Sequence, residues 1–190
     1  MQERRATKRE AANPRLTKQP PKRRQIHAPP RQGNAKKGSK LVGMNAERMR
    51  DYLLSLPHVV EAEQWGGLLY WVGDKAIGGK TFAMVNLEAT GGLPISFSAG
   101  PERFAELVEQ AGIRPAPYSA RNFWVAAERW DVLRDREWEQ ELASAHEITL
   151  AKLPVKTKDL LAMSEAALKR VVAERKTLLA GREAARRRNG

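Results

Sequence analysis

Cysteine is absent from the 190 residues, which removes disulfides, thiolate metal ligands and thiol nucleophiles together. Histidine is scarce: His27, His58 and His146 stand far apart, without the short spacing of a zinc or haem site. No apolar run approaches the roughly 18–20 residues that cross a bilayer. The basic N-terminus has no apolar stretch behind it of the kind a secretory signal needs. These absences predict a soluble, cytoplasmic chain with no metal and no cofactor. Catalytic patterns are missing too. There is no GxSxG, and GGKT at 78–81 lacks the upstream glycine of a phosphate loop. Glu61 and Glu63 share one face of an expected strand, as acids on surface strands commonly do. His146 falls one helical turn beyond Leu142, the place of a hydrogen-bonded boundary histidine. The expectation is a chain that is not an enzyme.

What is abundant is positive charge, +12 overall, and its distribution matters more than its sum. Residues 1–40 carry 13 Lys and Arg against 2 acids, residues 41–160 carry 13 against 17, and residues 161–190 carry 8 against 3. A mildly acidic middle is flanked by basic ends, so bulk attraction to polyanions resides in the ends. The first segment is rich in Lys, Arg, Pro, Gln and Gly and poor in large aliphatics, too little apolar surface to offset its ordering entropy. Residues 1–43 therefore read as a disordered basic arm, 44–161 as a folded domain, and 162–190 as a basic C-terminal helix and tail. The folded pattern begins so sharply at Met44 that translation starting there is an expectation intact mass would test.

Within the domain, Asn45 is a good N-cap. Met44 and Met49 have staple spacing, and Met49, Tyr52, Leu53 and Leu56 form one helical face. VVEAEQW, LLYWVG, KTFAMVNLE and LPISFSA follow, β-rich runs separated by Gly66-Gly67, Gly73-Asp74, Gly78-Gly79 and Gly91-Gly92, the pattern of an antiparallel meander. In the third run Phe82, Met84 and Asn86 are expected on one face and Ala83, Val85 and Leu87 on the other. A second helix opens with Pro101 at N1 and runs through Phe104, Leu107, Val108 and Ala111 to Gly112. NFWVAA reads as a last strand with Phe123 and Val125 facing the core, although Phe123, Ala127 and Trp130 would also suit a helix. Residues 135–153 form a further helix with Trp138, Leu142 and Ala145 inward. Ser164 caps the last one, and its tail GREAARRRNG is expected to fray.

All five tryptophans lie in the acidic middle. In PAPYSARNFWV, residues 115–125, Arg121 and Asn122 are bracketed by Tyr118, Phe123 and Trp124, and interleaved cations and rings suit phosphates and bases. Aromatics of a small core follow the same pattern. Lys152, Lys156 and Lys158 flank Pro154, where a helix dipole favours cations with or without a ligand.

The order and spacing of SLP and VVEAEQWG, GDKAIGGKTFAMV, ISFS with PERFAELVEQAGIRPAP, YSARNFWV and SAHEITLAKLPVKTKDLL resemble the MmcQ/YjbR family of double-wing DNA-binding proteins, over residues 44–161. The resemblance implies an α+β, CyaY-like antiparallel sheet backed by helices, and a DNA-binding role. By motif, Tyr118, Arg121 and Trp124 correspond to the family's Tyr, basic and Trp positions, and Lys152, Leu153 and Pro154 to its Lys-Leu-Pro turn. An acidic iron site, which a CyaY-like fold also brings to mind, is not expected from Glu47, Asp51, Glu61 and Glu63. The resulting expectation is non-sequence-specific binding of nucleic acid, DNA by the family resemblance, with the choice between DNA and RNA left open by the residues themselves. Its candidate site residues are Tyr118, Arg121, Asn122, Trp124, Lys152, Lys156 and Lys158, and the tails add phosphate contacts. Two alternatives stand beside it: a small-ligand-binding or drug-sequestering protein with Trp65, Trp71 and Trp124 around a pocket, and an adaptor whose tails bind acidic proteins.

Overall fold

The computed structural model describes residues 43–87 and 92–188. The arm expected over residues 1–43 lies outside these apart from Gly43, as do Gly91 of the fourth glycine pair and the last two residues of the tail. The described residues belong to one compact unit.

Helix α1, Ala46–Ser55, starts as its sequence dictates: the Asn45 side chain accepts a hydrogen bond from the Arg48 N–H at 2.9 Å, and Met44 and Met49 are both buried. The meander follows as β1 (Val59–Gln64), β2 (Gly67–Val72), β3 (Lys80–Asn86) and β4 (Ile95–Ser98). Helix α2, Gly100–Val108, precedes β5 (Ile113–Pro115) and β6 (Trp124–Ala127), and α3 (Asp135–Ala151), α4 (Val155–Leu161) and α5 (Glu165–Arg188) close the chain. The sheet order is β1-β2-β3-β4-β6-β5, every neighbouring pair antiparallel. The fold is thus α+β, an antiparallel sheet backed by helices.

The two faces of the sheet differ. Tyr70, Ala83, Phe97 and Val125 are cross-strand neighbours in one row. This row faces α3, where Phe97 meets Trp138 edge to face at 6.1 Å. The α3 face is apolar at helical spacing, with Trp138, Leu142, Ala145, His146 and Thr149 buried. Tyr52 of α1 donates to the Glu139 carbonyl at 2.7 Å, and Met44 N–H to Asp135 at 2.9 Å, so α1 and α3 are fastened at both the middle and the start. On the opposite face a second row runs Leu69, Met84, Ser96, Ala126.

Several expectations are corrected. A register shift opposite Tyr70 and Trp71 leaves Phe82 unpaired between Thr81 and Ala83. Its ring reaches His146 of α3 at 5.5 Å. Phe82 therefore packs on the helix side and does not share a face with Met84, because a bulge breaks the two-residue alternation. Helix α2 ends at Val108, and Ala111 is exposed beyond it; Gly112 at φ 87° instead turns the chain into β5. Helix α3 stops at Ala151, two residues short of the expected end. Within the described residues the tail expected to fray continues α5 as helix to Arg188, and α5 is anchored near its start by Leu168, Val171 and Val172 against the core and at its middle by the Lys176–Asp74 ion pair at 2.6 Å. The pair Gly78-Gly79 is turn chemistry. A Cβ on Gly79 would lie 2.0 Å from the Gly73 carbonyl oxygen, so only glycine lets these two backbones meet.

Candidate nucleic-acid interface

The segment between β5 and β6 is a loop that re-enters the sheet at Trp124. Ala116 N–H donates to the Trp124 carbonyl at 2.9 Å, and Ala99 N–H to the Phe123 carbonyl at 2.9 Å. Between them Ala120–Asn122 make a 3-10 turn that Phe123 closes in the left-handed region, φ 61°. That turn explains the largest departure from the sequence reading. Phe123 is not in the core; it is 40% exposed, its ring resting on Phe104 of α2 at 5.9 Å. Asn122 belongs to the turn and not to the strand, and β6 begins at Trp124.

A concavity of about 510 Å³ lies where β6, the start of β3 and the end of α3 meet. It is lined by Lys80, Thr81, Ser98, Arg121, Asn122, Phe123, Trp124, Thr149 and Lys152. Four of the expected residues, Arg121, Asn122, Trp124 and Lys152, therefore come together. Lys80 joins them, a residue that no sequence pattern singles out, since its GGKT context reads as a turn. The Lys80 ammonium donates to the Lys152 carbonyl at 2.8 Å. This bond crosses 72 residues of sequence, and the carbonyl belongs to the end of α3, where the helix dipole favours a cation. Among the described residues the Arg121 guanidinium has neither a hydrogen-bond partner nor an ion pair.

A second groove adjoins the first and shares Thr81 and Trp124 with it. It measures about 520 Å³ and is lined by Trp65, Leu69, Met84, Asn86, Leu93, Ser96 and the loop Ala116–Ser119 besides. It lies on the sheet face away from α3, and none of α1 to α5 contributes to its lining. Tyr118 stands here, fully exposed at φ 61°, and Trp65 is 78% exposed at φ 55°. Holding a bulky residue in the left-handed region costs about 1–2 kcal/mol. Neither cavity is lined by an Asp or Glu. Of the three tryptophans expected around a ligand pocket, Trp65 and Trp124 share this groove, whereas Trp71 lines neither cavity. Its indole N–H is buried without a partner among the described residues.

Lys156 and Lys158 line neither cavity. Lys156 is exposed on α4, and the Lys158 ammonium turns back to donate to the Ala151 carbonyl at 2.7 Å. His146 is buried, its Nε2 2.8 Å from the Pro57 carbonyl, which is a structural bond between α3 and the end of α1. Glu61 accepts two hydrogen bonds from Arg50 at 2.7 and 2.9 Å and one from Tyr70 at 3.0 Å. The Arg50 hydrogen bond holds the Glu61 carboxyl below the usual carboxylate range, and burial together with Glu61 pushes the Tyr70 hydroxyl up. Among the described residues, no three His, Asp or Glu side chains converge as metal ligands would, and no helix is long and apolar enough to cross a membrane.

An antiparallel sheet backed by helices on one face gives the fold class, α+β. A family model described as YjbR matches residues 54–148, half of the chain, and the chain belongs to that family. The crystal structure of Deinococcus radiodurans protein DR2400, which carries a domain described as DUF419, is similar in fold. Its TM-score is 0.54 at 18% identity, with 63% of this chain and 88% of that one covered. No curated protein matches.

Proposed function

We propose that this protein is a cytoplasmic, non-catalytic nucleic-acid-binding protein that takes DNA without sequence specificity. The observation that carries the reading is the convergence of Lys80, Arg121 and Lys152 around Trp124, in a cleft lined by no carboxylate, on a domain that is net acidic elsewhere. Cations spaced around a ring offer partners for both parts of a nucleotide, the phosphate and the base. Phosphate contacts from the basic termini add affinity without reading sequence.

Such binding weakens steeply with salt, with dissociation constants on the order of 10⁻⁴ to 10⁻⁶ M under physiological conditions. Fluorescence anisotropy of the full chain with a labelled duplex and with a labelled single strand, each titrated at several salt concentrations, tests it. Arg121→Ala and Lys152→Ala should each lower affinity and flatten the log K against log salt slope by about 1. Unchanged slopes in both variants would remove the cleft from the interface, and no binding at low salt would end the reading.

A second reading is favoured by the apolar groove of Trp65 and Trp124, whose volume of about 520 Å³ is within the roughly 300–1,000 Å³ typical of small-ligand sites. Quenching of tryptophan fluorescence by a planar aromatic compound, insensitive to salt, would select it. An adaptor role, with the basic termini on an acidic protein, would be selected by binding to a polyglutamate peptide in the absence of nucleic-acid binding.

A further inference from the structure

Four non-glycine residues among those described have a positive φ, His58 and three with large carbocyclic or indole rings: Trp65, Tyr118 and Phe123. All three stand on the two adjoining concavities. The left-handed region is disfavoured for bulky side chains and is filled in most turns by Gly, Asn or Asp. Packing gives no reason for Tyr118, which is fully exposed, and little for Trp65. A turn that needs only its backbone conformation has no use for a large ring, and the Trp65 and Tyr118 rings are left available to a ligand. Strain of this kind gathers at ligand-binding sites.

The groove is lined by the rings of Trp65, Tyr118 and Trp124 and by apolar Leu69, Met84 and Leu93, with the cations of the adjoining cleft beside it and no carboxylate in its lining. A duplex keeps its bases stacked inside and offers only edges and phosphates, so it has nothing to lay on a ring face. Unpaired bases do. We infer that this groove is a stacking platform for single-stranded DNA, an inference that rests on the nucleic-acid reading above and assigns it a strand state. A base against Trp124 carries its phosphates towards Lys80, Arg121 and Lys152, since the two cavities share that ring. Deoxyribose suits the apolar lining better than ribose, whose 2′-hydroxyl would lose water there.

The test is anisotropy of the full chain with an oligothymidylate of about 15 nucleotides, the matching oligouridylate and a duplex of equal length. The variant is Trp65→Asn with Tyr118→Asn, because asparagine tolerates the left-handed backbone and removes only the rings. Oligothymidylate affinity should fall by about 10- to 100-fold while duplex affinity is unchanged, and Tyr118→Phe should bind as the parent does. Equal losses on single strand and duplex, or no loss on either, would overturn the platform. The parent reading would survive that result if Arg121→Ala still weakened both, and would fall with the platform only if the unaltered chain bound none of the three. Tighter binding to oligouridylate than to oligothymidylate would refute the DNA assignment. Salt-insensitive quenching by a planar aromatic compound, without oligonucleotide binding, would give the groove to a small ligand.

Discussion

Replacing Tyr118 with glycine should stabilise this protein, and replacing Phe123 with glycine should destabilise it, although both residues have φ 61°. The backbone contribution is the same at the two positions. Relief of a left-handed non-glycine residue is worth about 1–2 kcal/mol, offset by about 0.4–1 kcal/mol for the greater freedom of glycine in the unfolded chain. The net gain is therefore about 0.5–1 kcal/mol. What differs is packing. The Tyr118 side chain is fully exposed and loses nothing. Phe123 is 40% exposed and rests on Phe104, so about 120 Å² of a ring burying on the order of 200 Å² is removed from water. At about 25 cal/mol per Å² that burial is worth about 3 kcal/mol. Phe123→Gly should thus lose about 2 kcal/mol while Tyr118→Gly gains, raising Tm by about 1–4 °C. Urea denaturation followed by circular dichroism measures both. A loss above about 1 kcal/mol for Tyr118→Gly would mean that the ring packs, and would withdraw the argument that it is held outward for a ligand.

Three further outcomes follow from particular contacts. Thr157 is buried and donates to the Ile77 carbonyl at 2.7 Å. Thr157→Val should lower stability by about 1–2 kcal/mol by stranding that oxygen, seen as a lower urea midpoint at unchanged slope. Gly79→Ala should cost several kcal/mol, on the order of the largest single-site effects, because its Cβ would sit 2.0 Å from a carbonyl oxygen; a soluble variant of parental Tm would contradict the tight turn. Glu61, with its folded pKa below the unfolded value of about 4.3, stabilises the protein at neutral pH and loses that contribution as pH falls through the depressed folded pKa. Glu61→Gln should therefore be less stable than the parent at pH 7, with the difference shrinking in acid; a difference that stayed constant with pH would show that the Arg50 pair carries no charge-dependent stability.

Local chemistry wrote much of this fold into the sequence. The Asn45 cap, the Met44–Met49 staple, the α3 stripe of Trp138, Leu142 and Ala145, and the glycine-punctuated β1 to β4 all depend on neighbours within about a turn of helix or a strand's length, and they are where periodicity placed them. The misread elements are those where one residue changes the count. The bulge at Phe82 shifts the alternation by one, and the 3-10 turn before Trp124 throws Phe123 outward. Neither has a compositional mark, because a bulky aromatic in the left-handed region is set by its surroundings and not by its own preference.

The sequence by itself determined the helical faces, the meander, the family and the partition of charge into basic ends and an acidic middle, since each depends on residue type and short spacing alone. Only the tertiary structure decided that Lys80, Arg121 and Lys152 meet around Trp124, that Lys156 and Lys158 stand apart from them, and that one sheet face is left to rings. Those residues are brought together by strand register and by the seating of the α3 terminus on the sheet, across separations such as the 72 residues between Lys80 and Lys152, which no local pattern encodes.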